Sequence, residues 1–354
     1  MFSDELWRII SVMKKNKTIL WSFVAILISG LTIYAVFSNS RQLSLADLKQ
    51  ALQSSSRLWL AMAFLCAAGF IVFEMLALLW VLKHLGHKRN LNQGLMYSAG
   101  DIYFSAITPS ASGGQPASAF FMHQDKIPSA VISVTLVINL IMYTLAILAI
   151  GLFCIILYFR TFLLFNSFSR FLIIFGMAAL TVLALFFYTV LRKSGILRRF
   201  GLAVIGLLSK LHILRNEQGW KDRLERVIGE YSVYAKALAG KTRMLVVLFI
   251  LNLLQRISQI TVTPMIYFAL HGKRAENGMI LWVIQAFSQI GANCVPIPGG
   301  MGVADYLMLD GFNTIFVGDY ANKLEILSRG ISFYICTLTS GIIILIGALW
   351  RRRR

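Results

Sequence analysis

Residues Thr108–Ala117 read TPSASGGQPA, and apolar stretches lie on both sides of them. Proline removes a backbone hydrogen-bond donor and glycine widens the range of backbone dihedral angles, so we expect no continuous helix to cross this segment. Within hydrocarbon such a break is stable only where protein buries it or where it lines a wet cavity. Residues Val295–Gly302 read VPIPGGMG and repeat the pattern of proline and a Gly-Gly pair. Paired breaks in the two halves of a chain indicate the binding site of a transporter.

The composition places both segments in a membrane. The 354 residues are 58% hydrophobic and only 14% charged, which excludes a set of soluble domains and is typical of an all-α polytopic membrane protein. The formal net charge of +19 is compatible with nucleic-acid binding. Its basic residues nevertheless concentrate in the loops, which indicates membrane orientation and contact with anionic lipid, so we expect no nucleic-acid partner.

Six apolar stretches are long enough to cross a bilayer, which takes about 20 residues. They are Thr18–Phe37, Leu58–Leu82, Ser129–Tyr158, Phe171–Leu191, Met244–Leu270 and Ile331–Trp350. Two further apolar pairs, Leu95–Met122 and Met279–Val317, are broken near the middle by the Gly-Gly segments. Neither arm of either pair is comfortably long enough to cross alone. We therefore interpret the pairs as re-entrant helical hairpins, although two short crossings would leave the same parity.

The basic residues predict the orientation. If the N-terminus is cytoplasmic, 24 Lys and Arg residues lie inside and 9 lie outside, with Arg256 within a span. By the positive-inside rule both termini are then cytoplasmic, although the long loop 192–243 counts for less than the short ones. Three lysines precede the first span without a small-residue cleavage site, so we expect that span to be an uncleaved anchor. The predicted location is the cell membrane, with multiple passes.

The order of elements repeats along the chain. Residues 1–160 and 161–354 each contain a helix, a polar loop, a helix, a hairpin and a helix, within one membrane domain spanning 1–354. Each half crosses an odd number of times, so the halves insert in opposite orientations and form an inverted repeat with opposed hairpins. Chance similarity of two Gly/Pro loops is the alternative. The segment 192–243 is predicted to be cytoplasmic and amphipathic, either packed on the spans or bound to headgroups.

Two charged residues lie inside the predicted spans, at equivalent positions of the two halves. Glu74 is in the second span and Arg256 is in the fifth. A charge at the centre of a span costs about 2.5–3.5 kcal/mol, so each residue needs a partner or a cavity. We predict an intramembrane ion pair between them, which either holds the halves in register or acts in gating.

The two hairpins also bring polar residues toward the middle of the membrane. Helix N-termini after each Gly-Gly pair point free N–H groups at an anion such as a lipid phosphate. The predicted lipid-headgroup site comprises Asp101, Gly113, Gly114, Gln115, Gln289, Gly299, Gly300 and Asp305. No phosphate loop, GxSxG, HExxH or Cys/His metal spacing is present. We therefore expect no catalytic residues, no metal and no cofactor.

At these residues the chain resembles a known family. Thr108–Ala117 and Pro296–Asp305 are similar to the two signature segments of the lysylphosphatidylglycerol synthase transmembrane region, also called flippase-like, and the resemblance covers essentially the whole chain. The family's first motif commonly reads Gly-Gly-Glu-Pro and its second ends in Glu, whereas Gln115 and Asp305 stand here. In full-length synthases this region precedes a cytoplasmic domain that transfers lysine from lysyl-tRNA to phosphatidylglycerol. This sequence ends at Arg351–Arg354, directly after the last span, so we do not expect that domain.

Three functions follow as hypotheses. The first is a translocase for an anionic or aminoacylated phospholipid, or a polyprenyl- or glyco-lipid relative, whose headgroup lies between the hairpins. The second is phosphatidylglycerol lysyltransferase activity, which the family name suggests. The third is a non-transporting subunit of a lipid-modifying enzyme. The expected partners are a membrane phospholipid and, for the third hypothesis, that enzyme.

Overall fold

The computed structural model describes residues 52–108, 111–192, 217–293, 297–316 and 319–352, together with residue 295 and isolated positions between 195 and 206. Every regular element in these residues is helical. The first predicted span, Thr18–Phe37, lies outside the described residues.

Twelve α-helices are bounded in this part of the chain. They are α1 Arg57–His84, α2 Leu91–Ile107, α3 Gly114–Gln124, α4 Ser129–Leu157, α5 Phe159–Leu164, α6 Ser167–Arg192, α7 Glu217–Ala239, α8 Thr242–Ala269, α9 Ala275–Ala292, α10 Val303–Phe312, α11 Asp319–Arg329 and α12 Cys336–Arg352. A 3-10 turn at Pro298–Gly300 lies between α9 and α10, and a π-helical turn at Gly330–Ile335 joins α11 to α12.

Five described helices are long and apolar enough to cross a membrane. They are Arg57–His84, Ser129–Leu157, Ser167–Leu191, Thr242–Ala269 and Asp319–Trp350. The first four match predicted spans to within a few residues. The last begins at Asp319 instead of Ile331, because the residues before Ile331 continue the helix and two of their charged side chains, Glu325 and Arg329, are buried in the bundle. The chain is thus a multi-pass α-helical membrane protein.

Both Gly-Gly segments interrupt the helices where the sequence predicts a break. The first separates α2 from α3, which have 17 and 11 residues, and the second separates α9 from α10, which have 18 and 10. At about 1.5 Å per residue, α3 and α10 are each about 15–16 Å long, roughly half of a 30 Å hydrocarbon core. The two arms of each pair pack against each other and form helical hairpins.

The helices pack around a central pair, α1 and α8. The first hairpin places α2 against α1 and against α12, while the second places α9 against α8 and against α4. Each hairpin therefore contacts one central helix and one long helix from the other half of the chain. This arrangement directs the inner ends of both hairpins toward the space beside α1 and α8.

Close backbone contact holds the second hairpin against the outer helix α6. A Cβ atom added at Gly176 would overlap the carbonyl oxygen of Ile290, so only glycine permits this approach. Small residues are the usual means by which membrane helices pack closely, because lipid offers no hydrophobic drive for their association. The segment 217–239 forms the single helix α7, which packs on α4 through the fully buried Tyr231 and Leu238.

Candidate functional site

A cavity of about 470 Å³ lies where the two hairpins meet α1, α4 and α8. Seven of the residues predicted from the sequence line it, namely Glu74, Asp101, Gln115, Arg256, Gln289, Gly299 and Gly300. The other three, Gly113, Gly114 and Asp305, lie behind this lining, in the turns and helix ends that support it. The fold thus gathers both predicted sets, the hairpin residues and the two charges of the spans, around one cavity.

Arg256 presents a cation to this cavity from the middle of α8. Its guanidinium lies between two aromatic rings, 4.0 Å from the ring centroid of Tyr143 and 5.1 Å from that of Phe70. Nη1 donates a hydrogen bond to Gln259 Oε1 at 2.9 Å, while Nε has no acceptor among the described residues. The rings stabilise the charge through cation–π interaction and fix the plane of the group. Arg256 is therefore a rigid, buried cation with N–H groups to spare.

Glu74 forms hydrogen bonds with residues other than Arg256. Its side chain is 3% exposed, and Oε1 accepts a hydrogen bond from Asn139 Nδ2 at 2.9 Å. Asn139 in turn accepts one from Asn252 Nδ2 at 3.1 Å, so a chain of polar groups links α1, α4 and α8. The carboxyl group of Glu74 also lies within hydrogen-bonding range of the Asp101 carboxyl.

The predicted ion pair between Glu74 and Arg256 therefore takes a different form. Both side chains line the cavity and their charges act on each other, but no direct ion pair between them occurs in the described part of the chain. Glu74, Asp101 and Arg256 are together called the first charge cluster below. Its arginine faces the cavity, while its carboxyl groups face each other.

Asp101 joins the two arms of the first hairpin. It accepts a hydrogen bond from Ser105 Oγ at 3.3 Å and another from Gln115 Nε2 at 3.3 Å. A Cβ atom added at Gly114 would overlap the Asp101 carboxylate and lie 2.7 Å from its carbonyl oxygen. Gly114, which begins α3, thus brings the backbone of α3 close to Asp101. The sequence predicts in addition that this backbone approaches a lipid headgroup.

The turn of the first hairpin is closed by neutral groups. Thr108 Oγ1 donates a hydrogen bond to Phe104 O at 2.6 Å and accepts one from the backbone N–H of Gly113 at 2.8 Å. These bonds satisfy backbone groups that the end of α2 would otherwise leave without partners. The break in the helix is therefore stabilised without using a charge.

The turn of the second hairpin depends on left-handed glycines. Gly299, Gly300 and Gly302 have φ values of +60°, +61° and +79°. Residues with a Cβ atom rarely adopt this region, so the Gly-Gly pair is required by the backbone itself. Asp305 Oδ2 accepts a hydrogen bond from the N–H of Gly302 at 2.9 Å and so caps the start of α10.

A charged residue from α11 ties this turn to the bundle. Arg329 Nε lies 2.7 Å from Asp305 Oδ1 in an ion pair, without the alignment of a good hydrogen bond. Arg329 Nη2 donates to Gly299 O at 3.3 Å. Glu325, which is 7% exposed, places its carboxyl within hydrogen-bonding range of Asp305. Asp305, Glu325 and Arg329 form the second charge cluster.

The comparison with protein families agrees with the resemblance noted in the sequence. The family model described as lysylphosphatidylglycerol synthase TM region matches residues 22–340, which include both hairpins and both charge clusters. The chain belongs to this family. No curated protein matches the chain. Membership in the lysylphosphatidylglycerol synthase TM region family points to a function that involves membrane lipids.

Several residues of this lysylphosphatidylglycerol synthase TM region site are not predicted from the sequence. Glu325 and Arg329 precede the predicted last span, Ile331–Trp350, although their spacing of four residues places them on one helix face just before an apolar run. Asn139 and Tyr143 lie in an otherwise apolar span, and a lone amide there is the only signal of a polar role. Nothing local in the sequence connects Asn139 to Glu74.

Proposed function

We propose that the chain is a membrane translocase for a lipid with an anionic headgroup. The class includes anionic or aminoacylated phospholipids and phosphate-containing relatives. The observation that carries the proposal is Arg256, a buried cation that lines a cavity together with several amide side chains and has no carboxylate in direct contact among the described residues.

An anion is the ligand that this arrangement favours. A guanidinium inside a membrane costs about 2.5–3.5 kcal/mol on insertion scales unless a partner compensates it. Its planar set of donors matches the oxygens of a phosphate, which it binds through two parallel hydrogen bonds. Gln259 and Gln289 line the same cavity and supply neutral donors and acceptors for the rest of a polar headgroup.

We propose that the two hairpins re-enter the membrane from opposite faces as parts of an inverted repeat. The shortness of α3 and α10 supports this, because neither spans the hydrocarbon core. The corresponding contacts of α2 with α1 and of α9 with α8 support it as well. Both termini are then cytoplasmic in the cell membrane, which agrees with the excess of basic residues on that side. Rocking of the halves about α1 and α8 would expose the cavity to each face in turn.

Lipid movement in vesicles tests the proposal. The purified chain is reconstituted with fluorescent phosphatidylglycerol, and dithionite added outside reports the fraction of probe that changes leaflet. We expect the wild type to accelerate exchange and Arg256→Gln to reduce it by about tenfold or more, since a charge-assisted contact is worth about 1.5–3 kcal/mol. Arg226→Gln, an exposed arginine on α7, is the matched control and is expected to behave as the wild type.

Two other results would redirect the assignment. Vesicles that show no exchange above protein-free controls would favour a non-transporting subunit. Transfer of lysine from lysyl-tRNA to phosphatidylglycerol by the purified chain would identify the synthase activity that the family description names.

A further inference from the structure

Glu74 and Asp101 bring two carboxyl groups together on the facing helices α1 and α2. Both line the cavity, and the two groups lie within hydrogen-bonding range of each other. Ionised carboxylates only accept hydrogen bonds, so a hydrogen bond between two of them requires one shared proton. Two negative charges at such a separation strongly oppose each other, which makes the shared proton the stable arrangement.

The other contacts of this pair come from neutral donors. Asn139 donates to Glu74, and Ser105 and Gln115 donate to Asp101. The titratable side chains that line the cavity are Glu74, Asp101, Tyr143, Arg256, Arg329 and Cys336. The charge of Arg256 acts on both members of the pair.

The remaining titratable groups of the lining have other contacts. Arg329 is ion-paired with Asp305. Tyr143 stacks on Arg256, and Cys336 Sγ lies 3.5 Å from the carbonyl oxygen of Ile331. Arg256 is therefore the charged group that is free to act on the carboxyl pair and on a ligand at once.

A second feature of the cavity points to a mobile donor. Gln255, 2% exposed, lines the cavity one residue before Arg256, and its Oε1 has no hydrogen-bond donor in the described residues. Asn252 Oδ1, one turn earlier on α8, is buried without a donor as well. Buried acceptors of this kind are usually satisfied by an ordered water, and Gln255 lines the same cavity as the carboxyl pair.

We propose that Glu74 and Asp101 form a proton-binding site and that the chain takes up a proton together with the anionic headgroup held by Arg256. The inference rests on the proposed function and deepens it. While Arg256 is unoccupied, its positive charge stabilises the ionised carboxylates. An anion bound to Arg256 cancels that charge, so the carboxyl pair holds its proton more tightly. By linkage, the bound proton strengthens binding of the anion by the same factor.

The same pair connects proton occupancy to the position of the first hairpin. Asp101 belongs to α2 and receives a hydrogen bond from Gln115 on α3, whereas Glu74 belongs to the central helix α1. The shared proton holds the hairpin against α1. Loss of that proton places two carboxylates face to face, and their repulsion separates the hairpin from α1.

Binding of a short-chain lipid tests the coupling without transport. Dihexanoyl phosphatidylglycerol is titrated into the detergent-solubilised chain by calorimetry, in buffers of different ionisation enthalpy and across the neutral pH range. At low pH, where the pair already holds its shared proton without lipid, we expect binding without net proton uptake. At higher pH, where the ligand-free pair has lost that proton, we expect uptake that approaches one proton per lipid and a Kd that rises by up to about tenfold per pH unit. Glu74→Gln and Asp101→Asn should abolish the proton uptake.

Matched controls are available on α7. Glu230→Gln and Asp222→Asn change exposed carboxylates of the same types and are expected to retain the proton uptake of the wild type. Size-exclusion chromatography and thermal unfolding show whether each variant is folded. The wild-type proton count needs no variant, so the inference is tested even if one variant misfolds.

Three results would overturn the inference, namely absence of lipid binding at every pH, lipid binding without proton uptake at every pH, and proton uptake that persists in both Glu74→Gln and Asp101→Asn. The vesicle assay distinguishes failure of the proton coupling from failure of the proposed translocase function. If lipid exchange proceeds but lipid binding is not linked to protons, the proton coupling is rejected and the translocase function is retained. Proton-linked binding without lipid exchange removes the translocase and leaves a proton-linked lipid-binding site.

Discussion

The first charge cluster leaves its arginine facing a cavity, whereas the second pairs its arginine directly with a carboxylate and with the backbone of its hairpin. Both contain an aspartate from a hairpin and a glutamate from a neighbouring long helix. In the second cluster Arg329 forms an ion pair with Asp305 and donates a hydrogen bond to Gly299 O, so its charge is compensated by groups of the turn itself. In the first, Arg256 is supported by aromatic rings and one amide. The same three residue types thus build a tether in one place and a binding group in the other.

This difference teaches that a buried charge is informative only together with its contacts. The second cluster is satisfied internally, and removal of one member leaves the others as uncompensated charges. The first cluster is incomplete without a ligand, so its members are expected to matter more for activity than for folding. Three changes test this contrast, ordered by the size of the expected effect.

The largest effect is expected for Arg329→Gln. It leaves the buried carboxyl of Glu325 and the partly exposed carboxylate of Asp305 without a counter-charge and removes the donor to Gly299 O, so it should destabilise the fold by about 3 kcal/mol, the lower end of the range for a buried pair. Arg256→Gln should cost less than half of that, since no carboxylate contacts Arg256 directly in the described part of the chain. Thermal and denaturant unfolding in detergent measure both.

A double-mutant cycle sharpens the same comparison. Arg329→Gln combined with Asp305→Asn should be milder than Arg329→Gln alone, because the pair is removed together. Glu74 and Arg256, whose charges interact without a direct ion pair, should show a smaller coupling energy than Arg329 and Asp305. Equal stability losses for the two arginines, or a coupling energy between Glu74 and Arg256 as large as that between Arg329 and Asp305, would contradict the contrast between a tether and a binding group.

An intermediate effect is expected from alanine at the two hairpin breaks. At Gly114 the added Cβ atom overlaps Asp101, so Gly114→Ala should displace α3 and reduce lipid exchange severalfold. At Gly302, where φ is +79° and no atom lies within 4 Å of the added Cβ, the cost is backbone strain of about 1–2 kcal/mol with little loss of exchange. Exchange rates normalised to the amount of folded protein compare the two. A larger loss of exchange at Gly302 would reverse the assignment of the first hairpin to the moving site.

The smallest effect is expected from Thr108→Val. Valine keeps the shape of threonine but cannot accept the hydrogen bond from Gly113 N–H, which should cost about 0.5–1.5 kcal/mol, the net contribution of one hydrogen bond. Thr181→Val, which removes only an exposed bond to Met177 O, is the control. A stability equal to that of Thr181→Val would mean that the first turn does not depend on this bond.

The sequence by itself determined the membrane class, four of the five spans within the described residues and the two helix breaks. These features follow from local causes, since hydrocarbon demands a certain apolar length and proline and glycine alter the backbone at their own positions. It also indicated ten residues, seven of which line one cavity in the structure, because polar groups inside a membrane need a partner or a cavity. The family resemblance followed from the same two motifs and is confirmed by the family model.

Only the tertiary structure decided which polar groups meet. Glu74 contacts Asp101 and Asn139 because the rotation of α1 against α2 and α4, set by packing along their whole length, points its side chain there. Arg329 and Glu325 lie inside the bundle, where Asp305, which is distant in sequence, forms an ion pair with Arg329 and lies beside Glu325. The ion pair compensates the buried charge of Arg329. Such pairings depend on the sum of many weak packing contacts between separate helices. No short stretch of sequence determines the result of these contacts. The sequence around Arg256 and Arg329 therefore does not show which of the two forms an ion pair.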